Sequence, residues 1–378
     1  MRIGINGYLA ARGAGGLARH TLVLLDGLTR LDTEHRFVVF SDRPLPARFA
    51  QDPRIESRVF PLPRWTTWEQ VGLPLALRRA QVDLFFGPYM GLPLLSSVPA
   101  VVMVHDLAWR RFPETYPRKK RGYYQLFVGA SVRKARRVLC PSYSTGAEVH
   151  ELLGVPRERI DVVHNAVAPR FRPLSDSAAL AAVRERYQLP SRYLLYLGTI
   201  EPRKNLERLL RAYALARQAH GVDVPLVLAG PLGWLYDQIL ALPAELGIAE
   251  HVIRPGFIDD ADLPGLYAAA ELFVYPSLYE GFGLPVVEAM ACGTPVVTTS
   301  TSSLPEVAGE AAIVVDPLDM LALAQAIADG LRDEARRARL RTAGLAQAAR
   351  FSQEQQARGT LACFERALAM EAPAVVAR

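Results

Sequence analysis

Two glutamates, Glu280 and Glu288, stand eight residues apart around Gly281-Phe282-Gly283-Leu284-Pro285. A carboxylate accepts hydrogen bonds from the hydroxyls of a neutral polyol. Backbone amides at the start of a helix, where donors lack partners and the dipole is positive, favour an anion. The segment offers both tools. The N–H groups of Phe282, Gly283 and Leu284 lead into a helix that Pro285 can open, because its fixed φ and missing N–H suit the first helical position. The apolar run Leu272–Tyr275, bounded by Pro276 and Ser277, reads as a buried strand before that loop. Strand, glycine loop and helix would set Glu280 at a strand's carboxyl end and Glu288 in the first helical turn, facing one crevice. The matching ligand is a sugar joined to phosphate, a sugar nucleotide. The plainer alternative is that acidic residues near a helix start only complement its dipole.

Cations for such a phosphate occur at Arg203-Lys204, after the buried run 193–197 and the turn at Gly198. Arginine can hold two phosphate oxygens in a fork, and lysine adds a compact charge. Arg203 and Lys204 are therefore expected at a diphosphate, with Gly198 permitting close approach. Gly230-Pro231 and Gly256-Phe257 end two further strands on the same side. His105-Asp106 follows the buried run 101–104, and that end of a strand lines the ligand crevice in open α/β sheets. A lone histidine is also a common core residue. Gly13-Ala14-Gly15-Gly16-Leu17-Ala18 matches a dinucleotide-binding G-x-G-x-x-A. It begins several residues after the strand ends, and Asp42 is too distant to serve as the acidic partner about 20 positions on, so nicotinamide cofactors are not expected.

Other stretches carry weaker signals. Residues 117–137 hold Arg118, Lys119, Lys120, Arg121, Arg133, Lys134, Arg136 and Arg137 with no acidic residue, interleaved with Tyr123, Tyr124 and Phe127. This is either a surface that meets anionic membrane lipid or a core helix with solvated charges. The aromatics of 61–95, Trp65 and Trp68 among them, read as packing. Ser142 or Ser144 reads as a helix cap. Asp259–Asp262 could suggest Mg2+, but a helix follows directly and capping is the preferred reading.

The elements that must position these groups are legible as alternation. Short apolar runs at 2–6, 37–41, 58–60, 82–86, 100–104, 138–141 and 160–163, then at 193–197, 226–229, 252–254, 272–275, 295–298 and 313–315, alternate with helical patterns, the signature of parallel sheets with crossover helices. The polar, proline-bearing stretch 168–176 separates the two series. At 378 residues, half of them hydrophobic, the chain is long enough for two globular domains. A net charge of +6 suits anionic ligands without naming one, and nucleic acid is not expected. Three cysteines without metal or disulfide spacing fit a reducing cytoplasm. The N-terminus lacks the apolar core of a signal peptide, and no run approaches a spanning helix.

Several strings resemble one family. Glu280-Gly-Phe-Gly-Leu-Pro followed by Glu288-Ala-Met-Ala-Cys-Gly-Thr-Pro-Val-Val resembles the E-x7-E signature of retaining GT-B glycosyltransferases of family GT4. Glu201-Pro202-Arg203-Lys204-Asn205, His105-Asp106-Leu107 and Gly15-Gly16-Leu17-Ala18-Arg19 resemble its other segments. The resemblance implies an α/β GT-B fold: two doubly wound Rossmann-like domains facing across a cleft, 1–170 on the acceptor side and 171–356 on the donor side, with a helix in 357–378 returning to the first. It implies retaining, metal-independent transfer of a hexose, with no cofactor beyond the donor. GDP-mannose is the favoured donor, from the look of the strings around 201–205 and 302–309, and UDP-glucose and related donors stay open. The acceptor would be a glycan, lipid-linked or small-molecule compound of bacterial polysaccharide or glycolipid assembly.

By the same resemblance, Arg203, Lys204 and the amides of Phe282, Gly283 and Leu284 hold the diphosphate, and Glu288 holds the ribose. Glu280 takes the donor sugar hydroxyls, and His105 lies at the reaction centre. Gly15 and Gly16 approach the diphosphate and acceptor, Phe257 gives backbone contacts to the base, and the Trp65–Glu69 loop lies on the acceptor side. Gln353 stands where the family often has tryptophan. Two alternatives are a sugar-nucleotide 2-epimerase of the same architecture and a non-catalytic sugar-nucleotide-binding scaffold.

Overall fold

The computed structural model describes residues 1–370 apart from Ala14 and Pro117, and only the backbone of Lys119 and Lys120. The chain forms two units: Met1–Ala166 together with the segment from Ser352 onward, and Val167–Phe351. The chain thus leaves the first unit a few residues before the expected linker and rejoins it before 357; residues 371–378 of the closing segment lie outside the described ones.

In the first unit, β1 (Arg2–Asn6), β2 (Arg36–Ser41), β3 (Ile55–Val59), β4 (Leu84–Gly87), β5 (Ala100–Met103), β6 (Arg137–Cys140) and β7 (Ile160–Val162) pair in the order β3-β2-β1-β4-β5-β6-β7, all parallel, among the described residues. Strand β3 starts earlier than the expected 58–60 because Ile55, the one buried residue of this edge strand, anchors its pairing. One face of the sheet buries Ile3, Phe37, Phe86 and Val101 together with Leu24 of helix Gly16–Leu28 and Phe364 of helix Gln353–Ala369. Gly27 lets those two helices touch, since a Cβ there would lie 2.8 Å from the Gln353 carbonyl oxygen. Gln353 also donates to the Val23 carbonyl and accepts from Arg30, so an amide does here the helix-joining that a large ring would do by packing.

In the second unit, β8 (Leu194–Leu197), β9 (Leu226–Ala229), β10 (Val252–Gly256), β11 (Leu272–Tyr275), β12 (Val296–Thr299) and β13 (Ile313–Val315) pair in the order β10-β9-β8-β11-β12-β13, again all parallel. Strand order reverses between β1 and β4 in one unit and between β8 and β11 in the other. At such switch points the loops leaving the two central strands diverge to opposite faces and open a crevice. The loops that carry Gly15, Arg203 and Glu280 leave β1, β8 and β11 at these points, and the His105 loop leaves β5, next to β4. Both units are therefore doubly wound α/β sheets, each built like a nucleotide-binding half. No helix among the described residues is long and apolar enough to cross a membrane.

Candidate active site

In the second unit the loop after β8 turns into a short helical segment, Pro202–Lys204, and ends at Asn205 with φ +60°. Asn205 Nδ2 donates to the carbonyls of Pro276 (3.0 Å) and Pro317 (2.8 Å), which ties this loop to the loops after β11 and β13. Lys204, held beside that latch, donates from Nζ to Glu280 Oε1 at 2.5 Å and to the Tyr275 hydroxyl at 2.9 Å. Arg203 donates to Glu280 Oε2 (3.3 Å), to the Tyr279 carbonyl (2.7 Å) and, from Nε and Nη2, to Glu201 Oε1. Spacing alone thus brought together the residues expected at one place. It did not foresee Glu201, which occupies the side of the guanidinium expected to fork onto phosphate. The charges of Glu201, Arg203, Lys204 and Glu280 balance, three of them buried and that of Arg203 half-buried.

Burial works against an ionised Glu280, yet Lys204 and Arg203 outweigh it and draw its carboxyl down to about 2. Burial and then Arg203 pull Lys204 below the usual lysine range, while Glu280 works to keep its proton. Glu280 is therefore ionised at neutral pH. Its loop is fixed from below: Ser303 Oγ lies 2.8 Å from the carbonyls of both Glu280 and Phe282, and the Glu280 N–H donates to Ser302 Oγ at 2.9 Å. Gly283, φ +104°, is the N-cap of helix Leu284–Ala291, with no side-chain cap. A Cβ there would meet Leu304 at 2.8 Å, so only glycine makes this turn at this distance. Pro285 is the second helical residue.

Glu288 corrects an expectation. It is the fifth residue of that helix, in the second turn and not the first, and its buried carboxylate accepts from the Tyr267 hydroxyl at 3.0 Å. A helix starting at Leu284 advances about 100° per residue, which carries position 288 toward Tyr267. Phe282 also turns its ring inward, edge-on to Phe351 at 5.4 Å, leaving its backbone as the part near the loop.

Beside this cluster, a cavity of about 570 Å3 is lined by Ile200, Gly230, Pro231, Arg254, Gly256 and Phe257 at the ends of β8, β9 and β10. Phe257 is exposed at its lip. Gly198 lies against Tyr196, where a Cβ would come within 2.7 Å of the hydroxyl, and Gly230 lies against Gly198 itself.

The first unit assembles the other motif residues. His105 follows β5, and its Nε2 lies 2.6 Å from the Pro88 carbonyl, so Nε2 carries the proton and Nδ1 the lone pair. Burial lowers the pKa of His105, with the Pro88 carbonyl and Asp106 opposing. Asp106 accepts from the Ala108 N–H at 3.0 Å, a local turn contact. His20, which the sequence left without a role, packs its ring edge-on to His105 at 5.0 Å; burial and then His105 hold it neutral. Both rings stand at the same end of the sheet as Gly15 (φ +87°) and Gly16, whose Cβ positions meet nothing within 4 Å. The signal for His20 was its place one helical turn into the helix opened by those glycines.

Of two smaller readings, one fails and one holds. Asp259 and Asp262 do not cap the following helix: Arg186 pairs with both, at 2.5 and 2.7 Å, and Tyr187 donates to Asp262. Ser142 is a cap, accepting from the Thr145 N–H. Among the described residues no cluster of His, Cys, Asp or Glu could hold a metal ion.

Comparison with known proteins fits this geometry. Residues 183–347 match the family model described as glycosyl transferases group 1, and residues 14–171 match glycosyltransferase family 4. The O-antigen chain mannosyltransferase B of Escherichia coli is 39% identical over 77% of this chain and 76% of its own length. The chain belongs to the family 4 glycosyltransferases. This glycosyltransferase is also 29% identical, over 98% of its length and 99% of the relative's, to the MMP alpha-(1->4)-mannosyltransferase of Mycolicibacterium hassiacum. Its fold is that of the sucrose-phosphate synthase of Thermosynechococcus elongatus, with a TM-score of 0.76 at 22% identity, covering 98% of this chain and 99% of that one. The glycosyltransferase therefore has the GT-B fold.

Proposed function

We propose that this glycosyltransferase is a retaining, metal-independent mannosyltransferase that uses GDP-mannose and acts in the cytoplasm in polysaccharide or glycolipid assembly. The observation that carries the reading is the convergence of Lys204, Arg203, Glu280 and the uncapped helix start at Gly283 on one switch point. Mannose is supported by the names of two relatives that cover most of the chain. In this reading the departing diphosphate is stabilised by Lys204, Arg203 and the amides from Phe282 to Leu284. The β-phosphate competes with Glu280 for Lys204, freeing Glu280 to accept from donor sugar hydroxyls. Glu288 serves the ribose, and the cavity beside Phe257 takes the base. The acceptor attacks on the face the nucleotide leaves, and a phosphate oxygen takes its proton.

The test is a thermal-shift panel of GDP-mannose, GDP, UDP-glucose and UDP with and without EDTA, followed by anomer analysis of the transfer product. GDP-mannose is expected to raise the melting temperature most, since a specific binder stabilises the native state by mass action, with no effect of EDTA. A larger shift with UDP-glucose would overturn the donor assignment. An inverted anomer would overturn retention, and conversion of donor without acceptor into an epimer would overturn transfer.

The reading includes peripheral contact with anionic lipid through 117–137. Arg118 and Leu126 are exposed on helix Arg118–Lys134, whereas Lys134, Arg136 and Arg137 bond to Ser96, Ala367 and Asp161 within their own unit. Pro117 and the side chains of Lys119 and Lys120 lie outside the described residues. Sedimentation with liposomes that is indifferent to anionic lipid content would remove this part.

A further inference from the structure

A cavity of about 410 Å3 opens within the first unit. Its volume lies toward the lower end of the roughly 300–1,000 Å3 of small-molecule sites. Aromatic rings wall it, among them Tyr8, Trp65, Tyr89, Tyr123 and Phe127, and one carboxyl group, that of Glu69, lies among them. Trp65 and Tyr8 meet edge to face at 4.4 Å, and Trp65 Nε1 donates to the Tyr123 hydroxyl at 3.3 Å. None of these residues belongs to the donor cluster.

Glu69 is 1% exposed, in a π-helical stretch, Trp68–Gly72, a winding found often at functional sites. Its Oε2 accepts from Gln70 Nε2 at 3.1 Å, while its Oε1 is buried without a hydrogen-bond partner. Gln70 is itself fixed, donating to the Leu92 carbonyl and accepting from the Leu94 N–H, both at 3.0 Å. Gly91 leaves room for the carboxylate, because a Cβ there would stand 2.9 Å from Oε1. An unpaired buried oxygen costs free energy, and natural structures rarely keep one without a reason.

A ligand that answers both features lays a C–H face on aromatic rings and points an O–H at Oε1. A hydrocarbon chain fills the walls and leaves Oε1 unpaired. A phosphate sets one negative charge against another. A pyranose ring has the apolar face and the hydroxyls together. We propose that this cavity binds one hexopyranose ring of the acceptor, its C–H face on Trp65 and a hydroxyl donating to Glu69 Oε1. The inference deepens the acceptor side of the proposed function and rests on the acceptor being a glycan.

The test titrates the full chain with methyl α-D-mannopyranoside and its gluco and galacto counterparts by saturation-transfer NMR, with Glu69→Gln and Trp65→Ala beside it. Saturable binding of at least one hexoside is expected. At pH 8, where the Glu69 carboxyl is ionised, it should weaken about tenfold in Glu69→Gln, since a hydrogen bond to a neutral amide is weaker than one to a carboxylate, and vanish in Trp65→Ala. Glu69→Gln keeps the side-chain volume, and Trp65 is only half-buried, so folding does not hide the answer. The inference is overturned by absence of saturable hexoside binding, by equal affinity in both variants, or by farnesol binding that excludes the sugars. GDP-mannose thermal shifts on the same wild-type sample separate the two readings: no donor shift with hexoside binding intact sinks the donor assignment alone.

Discussion

Lys204 and Glu280 form a buried pair whose members depend on each other. Removing one partner of such a pair leaves an uncompensated buried charge and costs about 3–5 kcal/mol. Lys204→Met is therefore expected to abolish transfer and to lower unfolding stability by about that amount. Adding Glu280→Gln should restore part of the stability and none of the activity, as read by denaturant titration and product assay. Glu69 behaves in the opposite sense. Burial, opposed only by the Gln70 hydrogen bond, pushes its carboxyl up to about 7, and Tyr123 faces it across the cavity. Between pH 4.5 and 7 the folded chain holds a proton that the unfolded chain has released. Stability therefore falls as pH rises through that window, on the order of 3 kcal/mol in all. Glu69→Gln should flatten this decline in melting temperature measured across pH 4.5 to 7.5. An unchanged slope would show that Glu69 is not its source. Strand ends and the family resemblance together singled out Glu280, Arg203, Lys204 and His105, because each follows a strand end that apolar runs announce. Glu69, His20 and Glu201 were not found in the same way. Glu69 and His20 take their surroundings from Gly91 and His105, far along the chain, and Glu201 from a side-chain bond to Arg203 that depends on how the loop turns.

At the scale of elements, the second unit brings two strand ends together backbone to backbone. Gly230 has φ +129°, and a Cβ on it would lie 2.1 Å from the Gly198 carbonyl oxygen. Gly230→Ala must part the ends of β8 and β9 and strain its own backbone, at about 2 kcal/mol or more. That corresponds to a melting temperature lower by roughly 4–8 °C in a unit of this size. Gly15→Ala shares the positive φ but meets nothing within 4 Å, so it should cost markedly less. Differential scanning calorimetry of the two variants checks the ordering. The strands themselves were legible, since parallel strands buried on both faces read as apolar runs. The edge strand β3 and the second-turn position of Glu288 were less so. An edge strand has one neighbour to fix its ends, and a helix start set by a glycine N-cap moves with the loop before it. The pairing of Asp259 and Asp262 with Arg186 was hidden for another reason: it joins segments more than 70 residues apart.

For the whole molecule, the second unit is an insertion with adjacent ends. The Val167 N–H donates to the Phe351 carbonyl at 3.0 Å, so the chain enters and leaves that unit at one point. Units joined in this way commonly fold alone. An isolated 167–351 fragment should melt cooperatively and give the same thermal shift with GDP-mannose as the intact chain retains through its donor cluster. Failure of the fragment to fold, with the intact chain sound, would refute its independence. Cys363, Phe364 and Ala367 are buried against the sheet that begins at Arg2. The order of synthesis then matters. During synthesis the strands of the first unit lack part of the cover of one apolar face while the entire second unit is made, until helix Gln353–Ala369 emerges. Domains generally fold in the order they are made, but here the later-made unit can finish first, and the nascent chain carries a partly uncovered sheet face while it does.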